Sequence, residues 1–165
     1  MEYVVDVQGF KRPLNAFTFK EIAVTPLGEE DAVPVVFLIQ PPYSWDSLPI
    51  KFRCENSWLI RNFHGIPWEA GEIPYADVQE VLLSALQGAT KVWVKGLEKK
   101  KWLGRLVPDV YNLEDLGCPS LSRLGNKKKW CSHHAQCPQP VCAAHNVEVL
   151  KELMVSKSKY FSRKS

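Results

Sequence analysis

Three apolar runs follow one another within the first forty residues, "YVVDVQGF", "FTFKEIAV" and "VPVVFLIQ", separated only by the turn-rich segments "KRPLN" and "TPLGEED". Connections this short predict an antiparallel meander. In the second run Phe17, Phe19, Glu21 and Ala23 alternate onto one face, which points Glu21 into the core. An unpaired carboxylate there is costly, so Glu21 needs a cation: a lysine or a metal ion. The third run is continuously apolar and β-branched, the pattern of a strand buried on both faces.

Beyond the meander the signals alternate. "PPYSWDSLP" is too rich in proline for helix or interior strand. "ENSWLIRNFHGIP" predicts a short helix, capped by Asn56 or Ser57 and closed near Gly65. In "YADVQEVLLSALQGA", Val78, Val81, Leu82, Ala85 and Leu86 recur at helical spacing, with Gly88 beyond them. "KVWVKG" follows as a strand, "LEKKKWLGRLV" as a short helix and "DVYNLED" as a strand. A last helix, "CAAHNVEVLKELMV", carries an apolar stripe of Ala143, Val147, Leu150 and Met154. A meander leading into alternating helices and strands predicts a mixed α/β sheet with covering helices.

The 165 residues suffice for one domain with a real core, and 45 % hydrophobic against 24 % charged residues is a globular balance. No apolar run reaches the roughly 20 residues that span a bilayer, which argues against a membrane protein. "MEYVVDVQGF" lacks the basic start of a secretory signal, so an intracellular setting, cytoplasm or nucleus, is expected. The five cysteines are then read as thiols or metal ligands rather than disulfides. The net charge of +3 is unevenly placed, with lysine triplets at Lys99–Lys101 and Lys127–Lys129 and a basic tail "KSKYFSRKS". Such clusters are either solvated surface or phosphate-facing.

Potential metal ligands concentrate in one stretch, "WCSHHAQCPQPVCAAHN" (130–146). Cys131 and His134 stand in a C-x2-H arrangement, and Cys142 follows after seven intervening residues. Thiolate and imidazole at this spacing suit tetrahedral zinc. The fourth ligand is open among Cys137, His133, His145, Cys118 and a carboxylate from elsewhere in the chain. "CPQPVC" runs directly into the last helix, which favours a structural ion over a catalytic one. Cys54 and Cys118 are expected to be buried as small hydrophobes.

The succession of elements, with Asp6 inward on the first strand, resembles the RNase H-like fold of DEDDh exonucleases. Those enzymes hold two metal ions between acids on three motifs. Here Asp6 stands in the first motif, but Gln8 replaces its partner acid. Lys99, beside Glu98, occupies the second motif, and Cys142 and Val147 stand where the third has histidine and aspartate. Two-metal hydrolysis is therefore not expected. The pattern is similar to the domain of the Maelstrom proteins, RNase H-like relatives with a Glu-Cys-His-Cys zinc site in place of the exonuclease acids. Glu21 in "FKEIAV", Cys131 and His134 in "CSHH", Cys142 in "VCAAHN" and the stretch "NFHGIP" carry that likeness. It implies a zinc set of Glu21, Cys131, His134 and Cys142, leaving His133, Cys137 and His145 as exposed or outer partners.

The resemblance spans most of 1–155, leaving 156–165 as a basic flexible tail. The HMG box of full-length Maelstrom proteins is missing from the sequence. "VKGLEKKKWL" and "LEDLGCPSL" also resemble stretches of uncharacterised short arthropod proteins, some tied to mobile elements. The implied function is a non-catalytic module for single-stranded RNA, in small-RNA or transposon-related silencing. Lys99, Lys100, Lys101, Lys127, Lys128 and Lys129 would meet phosphates, and Trp68, Trp102 or Trp130 would stack bases. A protein-interaction scaffold presenting "PPYSWDSLP" is the alternative, followed by a ribonuclease using His64, Asp6 or Glu98.

Overall fold

The computed structural model describes residues 1–12, 16–119, 133, 134, 137 and 140–164, with side chains of the last helix described as far as 156. Five strands form one mixed sheet: β1 (Glu2–Arg12), β2 (Ala16–Pro26), β3 (Val35–Leu38), β4 (Lys91–Val94) and β5 (Val110–Asn112). Their order is β3-β2-β1-β4-β5. The first three pair antiparallel, as the short turns require, and β4 and β5 run parallel to β1. Among the described residues four helices accompany them: α1 (Ile50–Asn62), α2 (Val78–Ala85), α3 (Leu97–Gly104) and α4 (Ala143–Lys164). Among the described residues no helix is long and apolar enough to cross a membrane.

Both faces of the sheet are covered. On one, Val5, Val7, Ile22 and Val94 pack against Val78, Leu82 and Leu86 around α2 and against Leu103 of α3. On the other, Val4, Ala23 and Trp93 meet Ala143, Val147 and Leu150 of α4, with Met154 packed at the margin. The stripe expected on the last helix is thus its buried face. That helix continues to Lys164, so the backbone is helical through most of 156–165. Towards the end of β1, Phe10 joins Leu48 and Trp68, with Phe52, Leu59 and Ile60 of α1 packed alongside. Trp68 is therefore a core residue, not a stacking platform.

One irregularity decides where Glu21 points. Gln8 pairs with Glu21 but Gly9 pairs with Phe19, so Lys20 is an extra residue in β2. A bulge of this kind interrupts the two-residue alternation. Phe17 and Phe19 lie on the α2 side with Ile22, whereas Glu21 and Ala23 face α4. The single face expected for all four residues is corrected accordingly, although Glu21 is fully buried as anticipated. Gly9 is the matching requirement across the pair. A Cβ there would lie 2.0 Å from the Thr18 oxygen and 2.5 Å from the Phe17 ring.

The bulge residue turns its own charge inward. Lys20 is buried, and its Nζ donates to the carbonyls of Ile39 (3.0 Å), Trp68 (2.6 Å) and Ala70. It ties the 68–70 loop to the end of β3. That strand is not buried on both faces as its composition suggested, because it forms an edge: Val35 is 50 % exposed. A bridge from Ile39 to Ile73 continues that edge.

Three further differences follow from tertiary contacts. α1 begins at Ile50, after Pro49, so Asn56 lies mid-helix instead of capping it. Its side chain accepts from Lys11 N–H (2.9 Å) and donates to Lys11 O (3.0 Å), doing for β1 what a neighbouring strand would do. Cys54, on the outer side of α1, is exposed rather than buried, and Cys118 is half-buried. "DVYNLED" is strand only over Val110–Asn112. Asn112 Oδ1 then accepts from Gly96 and Glu114 N–H, both at 3.0 Å, and a 3-10 turn (Leu113–Leu116) follows.

Lys20→Met removes the donor and strands three carbonyls, so a loss of about 2–4 kcal/mol is expected in urea denaturation. Burial pulls the Lys20 amine down to about 8, with the Glu69 charge partly opposing it. Between pH 8 and 10.5 the unfolded chain then binds more protons than the folded one. Wild-type stability should therefore gain with pH across that window, and the gain should be missing in Lys20→Met.

Candidate metal centre and adjoining cleft

Glu21 receives the N-terminus of α4, since its Oε1 accepts from Ala143 N–H at 2.9 Å. Its Oε2 lies 3.0 Å from His134 Nε2 and 3.1 Å from His133 Nδ1. Cys142, immediately before α4, completes a buried group: ligand atoms of Glu21, His134 and Cys142 all lie within 4.8 Å of one another. Carboxylate, imidazole and thiol held this closely can bind a metal ion, and oxygen, nitrogen and sulfur donors are the common set for a tetrahedral site.

The orientation of His134 supports this fit. Its Nδ1–H donates to the His64 carbonyl, so the bare Nε2 faces a carboxylate oxygen. Two acceptors 3.0 Å apart require a proton or a metal ion between them. Without metal the proton is held firmly. Burial alone lowers the His134 value, but bonds to Cys142 and Glu21, the Glu21 charge and the His64 carbonyl push it up to about 10.

His64 is a structural anchor beneath this group. Its Nδ1 accepts from Ile66 N–H (3.0 Å), which leaves the proton on Nε2 to donate to Gly9 O (3.1 Å). Burial, aided by the nearby His134 and Lys20 charges and opposed by Gly9 O and Glu21, pushes it down to about 4. The next residue must be glycine. Gly65 has φ +68°, and a Cβ would lie 2.8 Å from His134 O and from Cys137. Cys137, expected to be an exposed or outer partner, is buried against this turn.

Of the residues anticipated for the metal set, the fold brings together Glu21, His134 and Cys142; Cys131 lies outside the described residues. His133, anticipated as an outer partner, reaches the Glu21 carboxylate directly. Lys127, Lys128, Lys129 and Trp130 also lie outside the described residues.

A second polar cluster sits on the same face of β1. Asp6 is buried, and its Oδ1 receives Lys99 Nζ at 2.6 Å. Its Oδ2 accepts from Asn146 Nδ2 (2.9 Å) and Gln8 Nε2 (3.2 Å). The carboxylate is thus neutralised by an ammonium and two amides. Asn146, not Val147, is the α4 residue that reaches it; Val147 is turned into the core with Val4 and Ala23. The sequence held a sign of this, because Asn146 stands one helical turn after Cys142 and shares its face.

Beside this cluster opens a cleft of about 560 Å³, walled by Lys11, Phe17, Phe63, Lys95, Lys99 and Trp102. Trp102 stacks on Phe17, with ring centroids 4.1 Å apart and planes within 6°. Lys95 pairs with Glu114 at 3.0 Å. Of the α3 lysines, only Lys99 lines the cleft. Lys100 is half-buried and Lys101 exposed, and a helix turns each about 100° from the next. No protein-family model matches this chain, and no curated protein matches it.

Mass spectrometry of the purified protein is expected to find one metal ion per chain. Glu21→Ala and Cys142→Ser should each lose it, and chelation should lower the wild-type melting temperature by roughly 5–15 °C. A metal-free wild type whose melting temperature ignores both chelator and added metal would contradict the assignment.

Proposed function

We propose that this chain is a non-catalytic nucleic-acid-binding module for single-stranded RNA, built on an RNase H-like, Maelstrom-like domain over residues 1–155. In this reading the ion at Glu21, His134 and Cys142 is zinc, joined by Cys131, and its role is to hold α4 and the 133–142 segment against β2. The sheet order β3-β2-β1-β4-β5, with its antiparallel meander leading into parallel β4 and β5, agrees with that plan. A place in small-RNA or transposon-related silencing rests on the resemblance of the motifs.

The observation that carries the proposal is the Lys99–Asp6 pair at the edge of an otherwise open cleft. Two-metal hydrolysis needs several carboxylates converging on cations. Asp6 faces an amine and two amides instead, so an ammonium stands where a divalent ion would be held. An ammonium has three donors. With one on Asp6, Lys99 keeps two for phosphate oxygens, and the flanking Phe17–Trp102 stack and Lys11 supply apolar and cationic walls. Of the acid–base groups named for the ribonuclease alternative, both His64 ring nitrogens are engaged and Asp6 is ion-paired, which leaves Glu98 at the cleft.

Fluorescence anisotropy with a labelled single-stranded RNA tests this reading. Binding should weaken about tenfold or more between 50 and 200 mM salt, as phosphate contacts release counterions. The double substitution Lys11→Glu, Lys95→Glu should weaken it further and flatten the salt slope. Absent or salt-independent binding would refute the proposal.

A further inference from the structure

In the cleft described above Lys95 is paired with Glu114 and one donor of Lys99 is held by Asp6, so part of its charge is committed. Further cationic side chains lie next door. α1 buries Phe52, Leu59 and Ile60 against Phe10 and Trp68, and its opposite side carries residues that no core explains. Trp58 is 57 % exposed and Ile50 70 % exposed. Together with Trp45, Arg53, Ser57 and Arg61 they line a second open cleft of about 600 Å³.

We infer that this outer face of α1 is a second binding surface for single-stranded nucleic acid, with Trp58 stacking a base and Arg53 and Arg61 holding phosphates. The inference deepens the proposed function and rests on it. Among the described residues neither arginine forms an ion pair. α1 carries Lys51, Arg53 and Arg61 against a single acid, Glu55. Guanidinium groups match phosphate oxygens in a planar, two-pronged geometry. Trp58 and Arg61 are three residues apart, hence neighbours on the helix surface, and this interleaves aromatic and cation at short range.

The two clefts share a wall. Leu59 and Phe63 line the first, and Trp58 and Asn62, their neighbours in the chain, line the second. Phe63, 37 % exposed, stands beside the C-terminal end of the helix between them. A strand leaving the first cleft across this end of α1 meets Trp58 and Arg61 next. The shared wall and the unopposed positive charge favour a polyanion that continues from one cleft to the other over a protein segment that would cover Trp58 alone.

Length dependence separates the possibilities. Labelled oligouridylates of about 4 and about 12 nucleotides are titrated against the full chain, covering the range of site sizes known for single-strand binders. Trp58→Ala and Arg61→Glu should each weaken the longer oligomer about tenfold while leaving the shorter one within about twofold, and Arg61→Glu should lower the salt slope by about one. Trp58→Phe should recover most of the affinity, and tryptophan quenching on binding should be smaller in it than in the wild type. Both positions are outside the core, so unchanged melting curves are expected to accompany these effects. Equal affinity of wild type and Trp58→Ala for the longer oligomer would overturn the inference and leave the face to a protein partner. Wild type binding neither length would overturn the proposed function and this surface with it. Loss in the α1 variants with none in Lys11→Glu, Lys95→Glu would keep the surface and remove the first cleft.

Discussion

The carboxylate of Glu21 is the point on which the described architecture converges. It is fully buried, it receives the first N–H of α4, and two histidines approach its second oxygen. A charge in that position cannot remain without cationic partners, so it organises its surroundings. It draws in the Cys142 end of α4, the His133–His134 pair and, through the His134–His64 contact, the turn that follows α1. The chain thereby closes on itself from β2 to residues more than a hundred positions away. Glu21, His134 and Cys142 could hold a metal ion, which would take the place of the proton that His134 otherwise carries.

Lys20 and Glu21 are consecutive residues that both turn inward at one bulge, yet their charges are handled separately. The ammonium is satisfied by three carbonyls and the carboxylate by histidines and an α4 amide. A regular strand places neighbours on opposite faces. The extra residue in β2 breaks that alternation, and Gly9 on β1 is what allows the strands to approach there. Asp6 and Lys99 repeat the theme on the adjoining strand. A buried acid is again held by a tethered cation.

Much of the fold is written locally. The spacing of Val78, Leu82 and Leu86 and of Ala143, Val147 and Leu150 specifies which side of each helix is buried, and the short turns specify the antiparallel meander. Glu21, His134 and Cys142 stand out by residue type and position. The bulge leaves no mark of its own in "FTFKEIAV", because alternation reads the same with or without one extra residue until its partner strand is known. The edge position of β3 was hidden for a related reason, since a β-branched run looks alike at an edge and at a centre. Asn56 looked like a cap because its chemistry suits caps, and only the approach of Lys11 gave it another use.

The sequence by itself therefore determined the kinds of element, their order, the apolar faces of two helices, an inward acid and a separate stretch dense in histidine and thiol ligands. Each of these depends on near neighbours in the chain and on the cost of burying apolar surface or charge. Only the tertiary structure decided that Glu21 faces α4, that Lys99 neutralises Asp6 with help from Asn146, and that Trp58 and Arg61 are exposed beside Arg53 in one cleft of the described residues. Those outcomes depend on strand register and on which helix lies over which strand, quantities set by contacts between distant segments.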